Sequence, residues 1–326
     1  ACAERLLEDN VDATATLLTA ASKVALRSRQ ARRFEAVVER CRHRLPDGDV
    51  RRRHLRLLLA TGSVVRGDFL VARRHLLLGG DRPQGPHAQL MRAHVALRTG
   101  CVDEADALLR QLADVDDTAF QRTRALQLGL FRIAQHNDDT AVAVLTTLLH
   151  TSLDEKRLLT AGSAAFCLAE AAVAARRWAN VDDATARARR MLQPLGDQVL
   201  HQMLLVFDAE GRLAQQRPSH ALTLAETAFA AAEDWGVAET ALRSACVAAR
   251  AALAAGEAET FSSWMERVRM WLPVCAMPAA VDAAQQLVQL DAQGVIVVAP
   301  DVAWFSCQGE RVCLRRRPTL RRVLGA

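Results

Sequence analysis

Nine histidines, eight cysteines and several adjacent pairs of acids are the side chains with which this sequence could bind a metal or move a proton. Their spacing assembles neither kind of site. A helical zinc site needs two His one turn apart with a Glu beside the first, or Cys and His in closely spaced pairs. His43 and His54, His87 and His94, and His136 and His150 follow neither pattern. The cysteines at 2, 41, 101, 167, 246, 275, 307 and 313 form no CxxC pair. The sequence also lacks a GxxxxGK[ST] loop, a GxGxxG turn after a strand and a GxSxG elbow, and Gly79-Gly80 reads as a helix stop. The acids Asp103-Glu104, Asp114 with Asp116-Asp117, Asp138-Asp139 and Asp182-Asp183 fall at expected turns or helix starts. There a carboxylate caps free N–H groups and complements the helix dipole, worth about 0.5–1 kcal/mol. The expectation is a protein that is not an enzyme, with no catalytic residue, metal ligand or cofactor.

The elements that would carry these residues are helices. Of the 326 residues 51% are apolar but only 4% aromatic, with no Tyr, so a core must be built from Ala, Leu and Val. That suits closely packed helices and suits a β-sandwich poorly. Lysine occurs only at Lys23 and Lys156, a bias in favour of Arg that a GC-rich genome explains. The net charge of +5 is concentrated at the end of the chain, where six Arg and one acid follow from Glu310 onward. A smaller basic knot at Arg42, Arg44, Arg51, Arg52 and Arg53 reads as a solvated inter-helix loop. Scattered, unpaired cysteines at apolar helix positions point to reduced thiols and a cytoplasmic protein. No stretch reaches the roughly 20 apolar residues of a membrane-spanning helix, so no membrane is expected. A start at Ala1 without Met suggests a piece of something longer.

One stretch sets the pattern. Met91–Leu112 reads as two short helices, Leu90, Ala93 and Leu97 on one stripe and Ala105, Leu108, Leu109 and Leu112 on the next. A Thr99-Gly100 turn lies between them. Small Ala93 and Ala105 let the two backbones approach, and a single hairpin cannot bury its own apolar face, so it needs neighbours of the same kind. The chain supplies them. Ala60 precedes Ala72 across Gly67-Asp68, Gly129 precedes Ala141 across His136-Asn137, and Ala172 precedes Ala184 across Trp178-Ala179. Ala209 precedes Ala221 across Arg217-Pro218, and Ala249 precedes Phe261 across Gly256. Each pair is twelve residues apart, and second-helix contacts follow at i+4 and i+7. From Phe34 through Ala72, Ala105, Ala141, Ala184, Ala221 and Phe261, these contacts are separated by 38, 33, 36, 43, 37 and 40 residues, the period of an α-solenoid.

These units resemble tetratricopeptide repeats (TPRs), in which small residues face across a helical hairpin with Gly or a similar residue at its turn. Ala60, Gly67 and Ala72 fit, as do Ala93, Gly100 and Ala105. The aromatic residues usual in the first helix are mostly absent, and the spacing is longer and uneven. The resemblance covers roughly residues 10–272 and implies an all-α, right-handed α-α superhelix of about seven helix pairs. Its concave face would be lined by first helices and would take a protein or peptide partner. Uneven repeats of this kind are similar to the sensor arms of bacterial transcription regulators of the STAND and maltose-regulator type. Polar first-helix residues Gln89, Arg92, Gln127 and Glu170 are the candidates for the concave, partner-binding face.

The pattern changes after Leu290. VIVVAPDVAWFSCQGERVCL has strand character with a turn at Gln308-Gly309, which sets Phe305 opposite Val312 and Ala303 opposite Leu314, with Trp304 and Cys313 on the other face. Pro318 then suits the first turn of a short helix. Trp304, Phe305, Gly309, Val312, Leu314 and Leu320 resemble the opening of the winged-helix domain of response-regulator-type effectors. The expected domains are thus 1–291, helical repeats, and 292–326, a β-hairpin with a helix that is either a truncated winged helix or a cap. Arg315, Arg316, Arg317, Arg321 and Arg322 are candidate phosphate contacts. Function reads as a non-catalytic scaffold or sensor segment of a bacterial regulator. The alternatives are a DNA-binding regulator whose winged helix is incomplete here, or a stand-alone structural adaptor. The oligomeric state is not assigned.

Overall fold

The computed structural model describes residues 31–46, 49–77 and 85–292, Leu18, and the backbone of 297–298, 304–307 and 310–313. Fourteen helices are described: α1 (Ala31–Arg44), α2 (Val50–Val65), α3 (Phe69–Leu77), α4 (Pro86–Arg98), α5 (Val102–Gln111), α6 (Thr118–Ala134), α7 (Asp138–Asp154), α8 (Leu158–Ala174), α9 (Trp178–Leu192), α10 (Gln198–Ala214), α11 (Pro218–Trp235), α12 (Ala238–Ala255), α13 (Ala258–Trp271) and α14 (Pro278–Ala292). They form six consecutive hairpins, from α2–α3 to α12–α13, preceded by α1 and followed by α14. First helices also pack on one another in succession, α4 on α6, α6 on α8, α8 on α10, α10 on α12 and α12 on α14. They therefore make a continuous inner layer. The Gly79–Pro83 helix stop lies outside the described residues.

The hairpins close on the small residues read from the sequence. Ala60 with Ala72, Ala93 with Ala105, and Ala209 with Ala221 are fully buried, as are Ala141 opposite Gly129 and Ala249 opposite Phe261. Each small side chain lets two helices approach more closely than Leu would allow. At Gly129 the fit is tightest: an added Cβ would lie 2.5 Å from the Cδ2 atom of the buried Leu145. Gly129→Ala should therefore lose about 1–3 kcal/mol through overpacking, although Ala is the better helix former by about 1 kcal/mol. Chemical denaturation checks this, and a gain in stability would mean that α6 and α7 can part without cost.

The fifth unit corrects the sequence register. Ala184 is only half-buried; the fully buried pair is Ala169 and Val181, also twelve residues apart. With Val181 in place of Ala184, contacts from Ala141 to Phe261 recur at 40, 40 and 40 residues. The turn is also displaced. Trp178 opens α9, and the chain reverses at Arg176-Arg177. Asp182-Asp183 accordingly lie in the second turn of α9, not at its start, and Asp182 accepts a hydrogen bond from Arg212 of α10 at 3.0 Å.

All six hairpins turn in the same way. Gly67, Gly100, His136, Arg176, Gln216 and Gly256 have φ between 54° and 79°. In each case the following N–H donates to the carbonyl five residues back, for example Cys101 to Ala96 at 2.8 Å and Arg217 to Arg212 at 2.9 Å. This is the helix-ending pattern in which one left-handed residue satisfies the last free carbonyls. Three of the six turns use a residue other than Gly, which is why composition alone marked them poorly.

The superhelix closes on itself. The Ala238 N–H, at the start of α12, donates to the Arg66 carbonyl of the α2–α3 turn at 3.2 Å. An added Cβ on Gly67 would lie 3.2 Å from the Cβ of Glu239, and one on Gly100 would lie 2.9 Å from Cγ of Pro278. Ala276 joins the cluster formed by Ala60, Phe69, Ala72, Leu76 and Val95. Glycine is thus required at 67 and 100 twice over, by positive φ and by the approach of a helix far along the chain.

Beyond the helices, the backbone of β1 (Val297–Val298), β2 (Trp304–Cys307) and β3 (Glu310–Cys313) pairs antiparallel in that order, with Phe305 opposite Val312 and Trp304 opposite Cys313. Ala303, Leu314 and everything after Cys313 lie outside the described residues, as does the first helix of the first unit apart from Leu18.

Candidate functional site

The inner layer is charged, buried and paired with itself. Arg98, at the end of α4, reaches Glu170 of α8 with two parallel hydrogen bonds, 2.5 Å from Nη1 to Oε1 and 3.0 Å from Nη2 to Oε2. Its Nη1 also stands 3.9 Å from Oε1 of Glu239 on α12. One turn further along α12, Arg243 is 3.9 Å from the same Glu239 oxygen and donates to Glu210 of α10 at 3.1 Å. The Arg243 guanidinium lies over the Phe207 ring, 4.9 Å from its centroid. His94, one turn before Arg98, bonds through Nδ1 to Oε1 of Gln127 on α6 at 2.8 Å. Five first helices therefore contribute to one polar cluster. Helix geometry explains the placement: His94 and Arg98, and Glu239 and Arg243, are each four residues apart and share a face.

Burial and pairing divide the carboxylates. Burial works against the Glu170 charge, but Arg98 outweighs it and holds the carboxyl below its usual range. Burial raises the pKa of Glu239, and the two guanidinia at 3.9 Å do not offset it. Burial pushes His94 down to about 4, with the Arg98 charge acting in the same direction. Burial also raises the thiols, Cys167 well above its ordinary value, Cys246 to about 12 and Cys275 to about 11. These cysteines behave as small apolar residues and offer little thiolate.

The four residues proposed for a concave partner face have different surroundings. Gln127 and Glu170 are buried within the cluster. Arg92 is half-buried and donates to Glu104 at 3.2 Å; Arg73 of α3 holds the other Glu104 oxygen at 3.0 Å, so these residues tie the second unit to the third. Gln89 is half-buried on α4. The inner residues Arg98, Glu210, Glu239 and Arg243 were not singled out from the sequence. One signal was available: α12 is rich in Ala and other small or apolar residues, and a charge such as Glu239 or Arg243 within such a run must find its partner inside. Arg315, Arg316, Arg317, Arg321 and Arg322 lie outside the described residues.

A second feature lies between α7, α8 and α9, where Ala172 and Ala184 both line a cavity. A half-open cavity of about 220 Å³ has Val142, Ala165, Leu168 and Ala172 as its floor and Arg177, Asn180, Asp183 and Arg187 around its mouth. Arg177 is paired with Asp139 at 2.8 Å and Arg187 with Asp183 at 3.6 Å. Among the described residues, no group of three or more His, Cys, Asp or Glu side chains could hold a metal ion, and no helix is long and apolar enough to cross a membrane.

Neither a protein-family model nor a curated protein matches the chain. Among solved structures, a Signal Transduction ATPase with Numerous Domains (STAND) protein with a tetratricopeptide repeat sensor, from Pyrococcus horikoshii, is similar with a TM-score of 0.52 at 12% identity. The fold is a TPR-like helical solenoid. The similarity covers 89% of this chain and 48% of that one, so the chain spans about half the length of the STAND protein. At that identity the likeness concerns the fold alone.

Proposed function

We propose that the chain is a non-catalytic sensor or scaffold segment of a regulatory protein, bacterial and cytoplasmic, that takes a protein or peptide partner. The observation that supports this best is the architecture itself: stacked helical hairpins of the TPR kind, similar in fold to a structure that carries a TPR sensor. Solenoids of this type bind extended segments or partner helices along their surfaces. In the closed form the inner layer is occupied by its own charges, so a partner engages the outer helices and the edges, or the inner layer after the superhelix opens. Thermal-shift and native mass spectrometry against a peptide library and a metabolite library test the reading. Saturable stabilisation by extended peptides supports it; stabilisation by small metabolites alone overturns it.

The pairing of β2 with β3 ahead of the run Arg315–Arg317 favours a second element of the proposal, a winged-helix effector that begins near residue 292. On this reading Arg315, Arg316, Arg317, Arg321 and Arg322 would meet DNA through its phosphates. Binding should be weak and fall steeply with salt. Tight, sequence-specific binding at physiological salt would contradict this. Removal of residues 294–326 separates effector from cap: an effector leaves with little change in melting temperature, whereas loss of a cap lowers it clearly.

A further inference from the structure

Glu239 stands where two features meet. Its backbone and Cβ receive the bare Cα of Gly67, and the preceding N–H, of Ala238, holds the Arg66 carbonyl at 3.2 Å. This is the seam that joins the α2–α3 hairpin to the α12–α13 hairpin. The Glu239 carboxylate belongs to the inner cluster, where both nearest guanidinium nitrogens are 3.9 Å away and committed elsewhere, Arg98 to Glu170 and Arg243 to Glu210. With all three acids ionised the five-residue cluster carries one net negative charge; with Glu239 neutral it balances.

An ionised, desolvated carboxylate without a close hydrogen-bond donor is costly. It can recover solvation in two ways. Pulling Arg98 or Arg243 across would break existing charge-assisted bonds. Admitting water between the 66–67 turn and α12 breaks only the seam. We propose that this seam is a conformational latch controlled by the charge on Glu239: neutral, it holds the superhelix closed; ionised, it releases the α2–α3 hairpin from the α12–α13 hairpin and exposes the inner layer.

The sign follows from the neighbours. Charges acting on Glu239 come from Arg98 of α4, Glu170 of α8 and Arg243 of α12 itself; α10 adds Glu210 through Arg243. Arg66, in the seam, is paired with Glu35 and Asp68. His94 stays neutral until the pH approaches 4, and the Cys167, Cys246 and Cys275 thiols stay protonated through neutral pH. The helices α11, α13 and α14 also pack on α12. Because the Glu239 carboxyl pKa is raised in the closed form, its contribution to closure is fully present below the ordinary Glu value and weakens as pH rises through the raised one, while His94 acts in the opposite sense only as the pH falls from 6.5 towards 4. The latch holds whatever the chain binds.

Hydrogen exchange read by mass spectrometry from pH 5 to 9, normalised for intrinsic exchange, tests it on the full chain. Protection of segments 62–70 and 236–242 should fall at least tenfold relative to α10 as pH rises. In Glu239→Gln the same segments should stay protected throughout. Gly67→Ala, which forces a Cβ into the seam without altering any charge, should show low protection at every pH with its helix content retained. Wild-type seam protection that does not depend on pH, or a fall of equal size in Glu239→Gln, overturns the latch. If Glu239→Gln does not fold, the wild type and Gly67→Ala decide: no pH dependence in the former, or an unchanged one in the latter, sinks it.

Discussion

Arg98→Ala should lower the stability of the chain by about 3–5 kcal/mol, the cost of breaking a buried ion pair from one side. Arg98 and Glu170 expose 13% and 9% of their side chains. Removing the guanidinium strands Glu170 in the inner layer and takes from Glu239 one of its two nearby cations. For a chain of this length the melting temperature should fall by roughly 4–7 °C. Arg98→Lys should recover only part of the loss, because an ammonium cannot reproduce the two parallel bonds to Glu170. A double replacement, Arg98→Leu with Glu170→Leu, should recover more than Lys does, since an apolar pair of similar volume leaves no buried charge behind. Denaturant titrations of the three variants check this. A loss below about 1 kcal/mol for Arg98→Ala would place the pair among ordinary surface salt bridges and undo the account of a desolvated inner layer.

Acid should weaken the fold before the carboxylates titrate, and His94 is the reason. In the unfolded chain this imidazole takes a proton near 6.5; in the folded chain burial and Arg98 push the value down to about 4. Between those values the unfolded state binds more protons, so stability falls as pH falls. Integrated over the window, the loss reaches up to about 3 kcal/mol at about 1.4 kcal/mol per pH unit. Glu170 contributes with the same sign but lower on the scale, because its depressed pKa keeps its stabilisation until the pH drops below the ordinary Glu value. Glu239, with a raised pKa, acts in the opposite sense and becomes more favourable on acidification. His94→Gln should therefore flatten the stability profile between pH 6.5 and 4 while leaving the steeper loss below it. A wild-type profile that is level across that window would mean that His94 is solvated and free to ionise in the folded state.

Much of the fold is legible in the sequence because its cause is local. A small residue and a second-helix contact twelve positions on are set by the geometry of one hairpin, and Ala93, Gly100 and Ala105 state it directly. The error at the fifth unit arose from surplus: α8 offers Ala169 and Ala172 with Val181 and Ala184 twelve positions on, and spacing cannot choose between two pairs that both satisfy it. Position Val181 wins because burying its larger side chain is worth more than burying another Ala. The turns at His136, Arg176 and Gln216 are harder to see, since a left-handed residue there is imposed by the helix that ends before it rather than by glycine.

The candidate site was less legible because it depends on closure. Arg98 meets Glu170 and Glu239 across 72 and 141 positions, and Gly67 meets Glu239 across 172. No local pattern encodes such contacts. Gln127 and Glu170 were read as outward polar residues, as first-helix residues of an open solenoid would be. Once the superhelix closes, the same positions become interior, and polar groups there must pair with one another.

Closure is accordingly the claim to test most directly, by the distance between spin labels at Leu70 and Asp234, two exposed positions on either side of the seam. With Cys2, Cys101, Cys307 and Cys313 replaced by Ser, electron–electron resonance on the full chain at pH 5 should give a single distribution centred below about 30 Å, two labels reaching across packed helices about 10 Å apart. An open solenoid would separate the α2–α3 and α12–α13 hairpins by five packing steps of about 10 Å each. A broad distribution centred near 50 Å would contradict the closed superhelix and the buried cluster that depends on it.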